Sequence, residues 1–227
     1  LLVCPSVLSL GPSPFKNDIG IKLNKFRYKN IGRINRNKIL NFTFNGRRYV
    51  GYQGDTLASA LLANGIHLIA RSIKYHRPRG VVGSGAEEPN SIVQVGSGSK
   101  TTPNLRATQI ELYDGLTARS VSGWPSLRVD LYALNGLLGR LLPAGFYYKT
   151  FMRPRFLWSW YEHFIRKAAG LGQAPREADL DHYDKLNIHC DVLIVGGGPT
   201  GLMAALAAGR AGARVIMADE QAEMGGS

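Results

Sequence analysis

The clearest alternation of apolar and polar positions begins at Ile39. Leu40, Phe42 and Phe44 alternate with Asn41 and Thr43, the period of a strand with one buried face. Asn45-Gly46 follows, and both residues tolerate the positive φ of a tight hairpin turn. Residues 47–52 then form the returning strand. Gly54-Asp55-Thr56 opens a helix, with Asp55 or Thr56 as its N-cap. Leu57, Leu61 and Leu62 supply its apolar stripe, and Asn64-Gly65 ends it in a left-handed cap. Further strands are expected at 91–95 and 108–113. A hairpin, a helix and later strands make a small α+β domain of β-grasp type, placed at 38–121.

The pattern is different in the connections. Residues 71–89 are polar, with a basic half (Arg71, Lys74, His76, Arg77, Arg79) and a half rich in Gly and Glu (Gly83, Gly85, Glu87, Glu88). A loop this long in a compact domain is functional or disordered. Two readings of its basic half stand side by side: contact with a cofactor phosphate or acidic partner surface, and a solvated arm folded on its own domain. Glu87 and Glu88 are expected to pair with the arginines. Residues 122–188 read as a helical connector. It holds a helix at 130–142 ended by Pro143, an aromatic helix at 156–169 stopped by Gly170, and a polar linker at 172–184. Trp158, Trp160, Tyr161 and Phe164 are expected to pack or to anchor a subunit interface. His163 is expected on the helix face or at that interface.

The last segment carries the chemistry. Residues 191–195 (Asp-Val-Leu-Ile-Val) are a short apolar strand, and Gly196-Gly197-Gly198-Pro199-Thr200-Gly201 follows at once. Residues 202–210 are an alanine-rich helix, and 214–218 a second strand ending at Asp219-Glu220. Gly196 allows a tight turn, Gly198 lets a pyrophosphate approach the backbone, and Gly201 lets the helix pack on the sheet. The helix N-terminus offers N–H groups and a positive dipole end to the phosphates. Asp219 lies 23 positions after Gly196. A carboxylate there accepts both hydroxyls of an adenosine ribose and repels a 2′-phosphate, so the expected ligand is a non-phosphorylated dinucleotide. The unit alone does not separate FAD from NAD.

Composition narrows this picture. Hydrophobic content is 44% and charged content 19% over 227 residues, a globular balance rather than a disordered one. No run approaches the roughly 18 uncharged apolar residues of a membrane span. The net charge is +12, and residues 1–50 carry ten Lys/Arg against Asp18 alone. No nucleic-acid-binding module follows that basic run, so no nucleic acid is expected. The first 37 residues are expected to be flexible. Residues 1–14 lack the basic start of a secretory signal and read as an untidy end. Cys4 and Cys190 are the two cysteines; they make neither a disulfide framework nor a zinc pattern. No metal site is expected, Cys190 is expected to be an inert core thiol, and the compartment expected is the cytoplasm.

Several segments resemble the α subunits of heterotetrameric sarcosine oxidase. They are GDTLASALLANG (54–65), KYHRPRG (74–80), GAEEPN (85–90), PNLRATQ (103–109), LPAGFYYKTFM (142–152) and HCDVLIVGGGP (189–199). Order and spacing agree from about 33 to 227; residues 1–32 match nothing. Glu223-Met224-Gly225-Gly226, whose Gly-Gly pair begins six residues beyond Asp219, resembles a Gly-Gly loop that lies near the flavin or the nicotinamide in flavoproteins with two dinucleotide sites.

The resemblance implies a ferredoxin-like domain followed by an NAD-holding domain. It implies FAD and FMN elsewhere in the complex, tetrahydrofolate in a later region, and β, γ and δ subunits as partners. The reaction implied is oxidation of sarcosine to glycine. A plant-type [2Fe–2S] loop needs four thiolates, and residues 66–80, where they are expected, have none; no cluster is expected. The fold expected is α+β then α/β: a cluster-less ferredoxin-like β-grasp domain, a helical connector, and at 189–227 the first βαβ unit of an unfinished Rossmann-type domain. The expected cofactor-binding residues are Gly196, Gly197, Gly198, Pro199, Thr200, Gly201, Asp219, Glu220, Gly225 and Gly226, with NAD as ligand and FAD as the alternative. No catalytic residue is identifiable. An FAD-binding subunit of a related amine or opine oxidoreductase, or a non-catalytic assembly module, are the other readings.

Overall fold

A computed structural model describes residues 26–28, 31–136, 154–221 and 224–226. Strands β1 (Asn35–Phe44) and β2 (Arg47–Gln53) pair antiparallel. Asn45 (φ 50°) and Gly46 (φ 74°) turn the chain between them, the two positive φ values a tight hairpin requires. Helix α1 (Leu57–Ala63) follows. After a two-stranded ribbon of β3 (Ala70–Arg71) and β4 (Pro78–Arg79) come β5 (Ile92–Val95), β6 (Thr102–Arg106) and β7 (Leu116–Ser120). The five-stranded sheet has the order β2-β1-β7-β5-β6. β1 and β7 run parallel at its centre, and the other neighbours are antiparallel. A hairpin closing over one helix, with its first strand parallel to a later one, is the expected β-grasp arrangement.

The alternation in β1 is the source of the core. Leu40, Phe42 and Phe44 are buried with Leu57, Ala60 and Leu61 of α1 and with Val93 and Leu116 of the inner strands. Burying side chains of this kind contributes about 1.5–3 kcal/mol each. Thr56 is the N-cap: its hydroxyl accepts the Ser59 N–H (3.2 Å) while the Ser59 hydroxyl accepts the Thr56 N–H (3.0 Å). That reciprocal box satisfies two orphan donors of the first turn.

The expected strand at 108–113 is not a strand. Leu57 donates to the Ile110 carbonyl (2.8 Å), Ala58 to that of Ala107 (2.9 Å), and Leu112 to that of Asp55 (2.8 Å). The segment therefore spends its backbone bonds on the start of α1, and an apolar alternation without a ladder partner does not make a strand. The expected helix at 130–142 begins as a 3-10 turn, Leu131–Gly136; the rest of it, Pro143 and the 142–152 segment lie outside the described residues. The aromatic helix is α2 (Trp158–Ala168), preceded by a 3-10 turn at Arg155–Leu157. Trp158, Trp160 and Phe164 remain exposed on it, as does Phe156 in the turn before it. His163 rests edge-on against Phe164. The linker beyond makes contacts: Gly172 donates to Asn104 Oδ1 (2.8 Å) and Lys100 pairs with Asp181 (3.3 Å).

The N-terminal side is not uniformly loose either. Arg27 grips the buried Asp55 carboxylate with both guanidinium nitrogens, and Phe26 packs edge-on against His67. Residues 1–25 lie outside the described part. Finally, β8 (Val192–Val195), α3 (Pro199–Arg210) and β9 (Val215–Ala218) form a strand–helix–strand unit with β8 and β9 parallel. Among the described residues no helix is long and apolar enough to cross a membrane.

Candidate functional site

The glycine turn between β8 and α3 is anchored at both ends. Gly196 (φ 108°) leaves β8 with its N–H bonded to the Ala218 carbonyl at the end of β9 (2.8 Å). A Cβ on Gly201 would lie 2.0 Å from the Gly196 carbonyl oxygen. Any side chain at Gly201 therefore drives the helix off the turn. A Cβ on Gly197 would lie 2.2 Å from Met224 Sδ, whereas Gly196 and Gly198 face open space. Gly198 is the N-cap of α3 and makes no side-chain cap, and Pro199 takes the first helical position, where its missing N–H costs nothing. The following N–H groups of the first turn have no intrahelical acceptor. Thr200 is exposed beside them.

Asp219 closes the mouth of this turn. One carboxylate oxygen accepts the Gly197 N–H and the other the Gln221 N–H (2.7 Å). The Gly197 bond, then the Gln221 bond, hold its carboxyl below the usual range, so it is charged at neutral pH. Gly225 (φ 135°) donates to the Gly197 carbonyl (2.8 Å), and a Cβ on Gly226 would sit 3.5 Å from Gly198 Cα. The turn, Asp219 and the Gly-Gly pair are thus one assembly. A cavity of about 590 Å³ opens beside it, lined by Val195, Gly196, Ala218, Asp219, Glu220, Gln221 and Gly226, and by Gln109 from the β-grasp domain. Neither Met224 nor Gln109 is among the cofactor-binding residues expected from the sequence. Gln109 lies 87 positions before Gly196, so no local spacing points to it.

The basic segment divides. Arg71 is not a free arm. Its guanidinium donates to the carbonyls of Leu127 (2.7 Å) and His76 (2.8 Å), and its Nε lies 3.5 Å from Asp130 Oδ2. His76 (φ 50°) is wholly buried, with Nδ1 2.8 Å from the same Asp130 oxygen. The other Asp130 oxygen accepts from Trp124 (2.9 Å) and Tyr132 (3.1 Å). This cluster ties the 71–79 loop to the start of the connector. Among the described residues His76 Nε2 is buried without a hydrogen-bond partner. Arg77, Pro78 and Arg79 remain exposed.

Glu88 does not pair with the arginines. Oε2 accepts the N–H groups of Val82 (2.7 Å) and Gly83 (2.6 Å), and Oε1 those of Asn90 (2.7 Å) and Ser91 (3.2 Å). Burial pushes its pKa up, but the four backbone bonds outweigh that and the net shift is downward. Arg106 reaches only the Glu88 carbonyl (3.2 Å). Cys190 is half-buried at the entry to β8 rather than in a core. Among the described residues no group of three His, Cys, Asp or Glu is placed to hold a metal ion.

Residues 37–123 match the family model described as a 2Fe-2S iron-sulfur cluster binding domain, and 191–227 match that described as an FAD dependent oxidoreductase. A [2Fe–2S] cluster needs four protein ligands, as a rule thiolates. Neither cysteine of the chain falls within 37–123, so the residues present do not fit that group.

Three relatives carry the name sarcosine oxidase subunit alpha. That of Rhizobium meliloti (strain 1021) is 59% identical over 206 residues, 90% of this chain and 21% of the relative. Those of Corynebacterium sp. strains U-96 and P-1 are 35% and 34% identical over 86% of this chain and 16% of each relative. Among solved structures, L-proline dehydrogenase from P. horikoshii aligns over 85% of this chain and 26% of its own, at 20% identity and a TM-score of 0.38. That score is too low to carry a fold argument. The chain spans 16–21% of the length of the curated relatives it matches. Over nine-tenths of its own length, it is similar to a fragment of the sarcosine oxidase α subunit.

Proposed function

We propose that this chain is the N-terminal part of an oxidoreductase subunit of the sarcosine oxidase α kind, and that residues 191–226 hold the ADP half of a dinucleotide. The observation that supports it best is the single assembly of glycine turn, helix N-terminus and charged Asp219 beside the 590 Å³ cavity. In this reading Gly198 admits the pyrophosphate, the first turn of α3 receives it, and Asp219 takes the ribose hydroxyls. The charge of Asp219 excludes a 2′-phosphate. The dinucleotide supplies hydride-transfer chemistry; this chain's residues bind and orient it.

NAD is the ligand the family resemblance implies. FAD is the second reading, and the match of 191–227 to an FAD dependent oxidoreductase favours it. The β-grasp domain, with no thiolates, serves assembly and carries no cluster. The exposed aromatic face of α2 is its docking surface for another subunit. The sarcosine-to-glycine reaction, the β, γ and δ subunits, tetrahydrofolate and a cytoplasmic location belong to the same proposal.

The test is to denature the purified subunit and assay the released small molecules, by flavin absorbance and by an enzymatic NAD assay. NAD without flavin supports the first reading, and FAD supports the second. Release of neither, with no uptake of either added back, overturns the dinucleotide proposal.

A further inference from the structure

We propose that Gln109 reads the adenine ring of the dinucleotide held at the Gly196–Gly201 turn, an inference that rests on the dinucleotide reading above. The three parts of an ADP group need different partners. Phosphates take the helix N-terminus and the ribose takes the Asp219 carboxylate. The adenine edge presents an N6–H donor beside a ring-nitrogen acceptor, and a carboxamide matches that pair with two hydrogen bonds. Two carboxamides line the cavity, Gln109 and Gln221.

They differ in how firmly they are held. Gln221 is exposed, in the chain that leaves β9. Gln109 is half-buried on a loop locked to the rest of its domain. Its own N–H bonds to the Arg106 carbonyl (2.9 Å). Its neighbours Ala107 and Ile110 accept from Ala58 and Leu57 at the start of α1 (2.9 and 2.8 Å). The Thr108 hydroxyl donates to the Gly85 carbonyl (2.6 Å). Among the described residues the Gln109 side-chain amide has no hydrogen-bond partner, although its backbone is fixed on both sides. A prepositioned, unspent amide at a cavity wall loses little entropy on binding. The β-grasp domain thereby contributes a residue to a site built otherwise by the β8–α3–β9 unit.

The test compares calorimetric titration of wild type, Gln109→Ala and Gln221→Ala with ADP and with its hypoxanthine analogue IDP. On the N6/N7 edge, the one a glutamine pairs with in bidentate fashion, hypoxanthine keeps the N7 acceptor but replaces the N6 donor with a carbonyl, so it forfeits one of the two bonds. Gln109→Ala should weaken ADP binding about three- to tenfold, the worth of a hydrogen bond or so. It should weaken IDP binding less, so the preference for ADP shrinks, with the thermal midpoint unchanged. Three outcomes overturn the inference while leaving the dinucleotide reading in place: unchanged ADP affinity in Gln109→Ala, equal loss for ADP and IDP, or a loss confined to Gln221→Ala. Failure of the wild-type protein to bind ADP overturns both.

Discussion

Replacing Glu88 with Gln tests how the loop at 82–91 is held. The two carboxylate oxygens accept four backbone N–H groups at 2.6–3.2 Å, and the side chain is wholly buried. A glutamine keeps one oxygen and turns an NH₂ toward the other two donors. Two of the N–H groups that face this buried side chain then lose their acceptor, at about 1–3 kcal/mol each. The expected loss is roughly 2–6 kcal/mol. For a cooperative unit the size of the β-grasp domain, with about 4–8 °C per kcal/mol, even the lower bound lowers the midpoint by roughly 8 °C. The assay is thermal unfolding followed by near-UV circular dichroism, wild type against Glu88→Gln, over a pH series.

The pH dependence has a definite sign. The folded-state pKa of Glu88 lies below its ordinary value of 4.5. Its contribution is therefore fully present above that ordinary value and is lost as pH falls through the lower, folded one. The wild-type advantage must shrink on acidification below pH 4.5, because glutamine does not titrate. A midpoint difference of less than about 2 °C at neutral pH, or one that grows on acidification, refutes the reasoning.

Three further outcomes are expected. Asp219→Asn should weaken binding of NAD or FAD by roughly tenfold, the loss of a charge-assisted contact, and should narrow the preference for NAD over NADP in competition titrations. Asp130→Asn leaves His76 and Arg71 facing an uncharged amide in a buried site, and removing one partner of such a cluster costs about 3–5 kcal/mol, measurable by urea denaturation. Arg27→Ala frees the segment before β1 from Asp55. It should expose that segment to limited proteolysis and cost roughly 1.5–3 kcal/mol, the range for a hydrogen bond to a charged group.

These residues also mark where sequence reading worked and where it stopped. The β1–β2 hairpin was legible because Leu40, Phe42 and Phe44 keep a period of two up to Asn45-Gly46. Helix α1 and the β8–α3–β9 unit were legible for the same kind of reason: each is fixed by a local period and by residues required at its ends. The 107–112 loop misled because Ile110 and Leu112 alternate like a strand while the backbone bonds go to α1. Glu88 looked like a surface partner for arginines. Its acceptor role depends on four N–H groups that converge only when the loop folds. His76, Arg71 and Asp130 meet from segments more than fifty positions apart, and Gln109 comes to the cavity from another domain. Contacts of that kind leave no period and no spacing.

In the proposed function the Gly196–Gly201 turn and Asp219 hold an adenosine dinucleotide. Its most direct test is a titration of the ¹⁵N-labelled protein with NAD and with FAD, followed by amide chemical shifts. The largest shifts are expected on Gly197, Gly198, Thr200 and Gly201, with Gly225 and Gly226 following, and Asp219→Asn should diminish them. Shifts centred elsewhere, such as the 71–79 loop, or no shifts with either dinucleotide, contradict it.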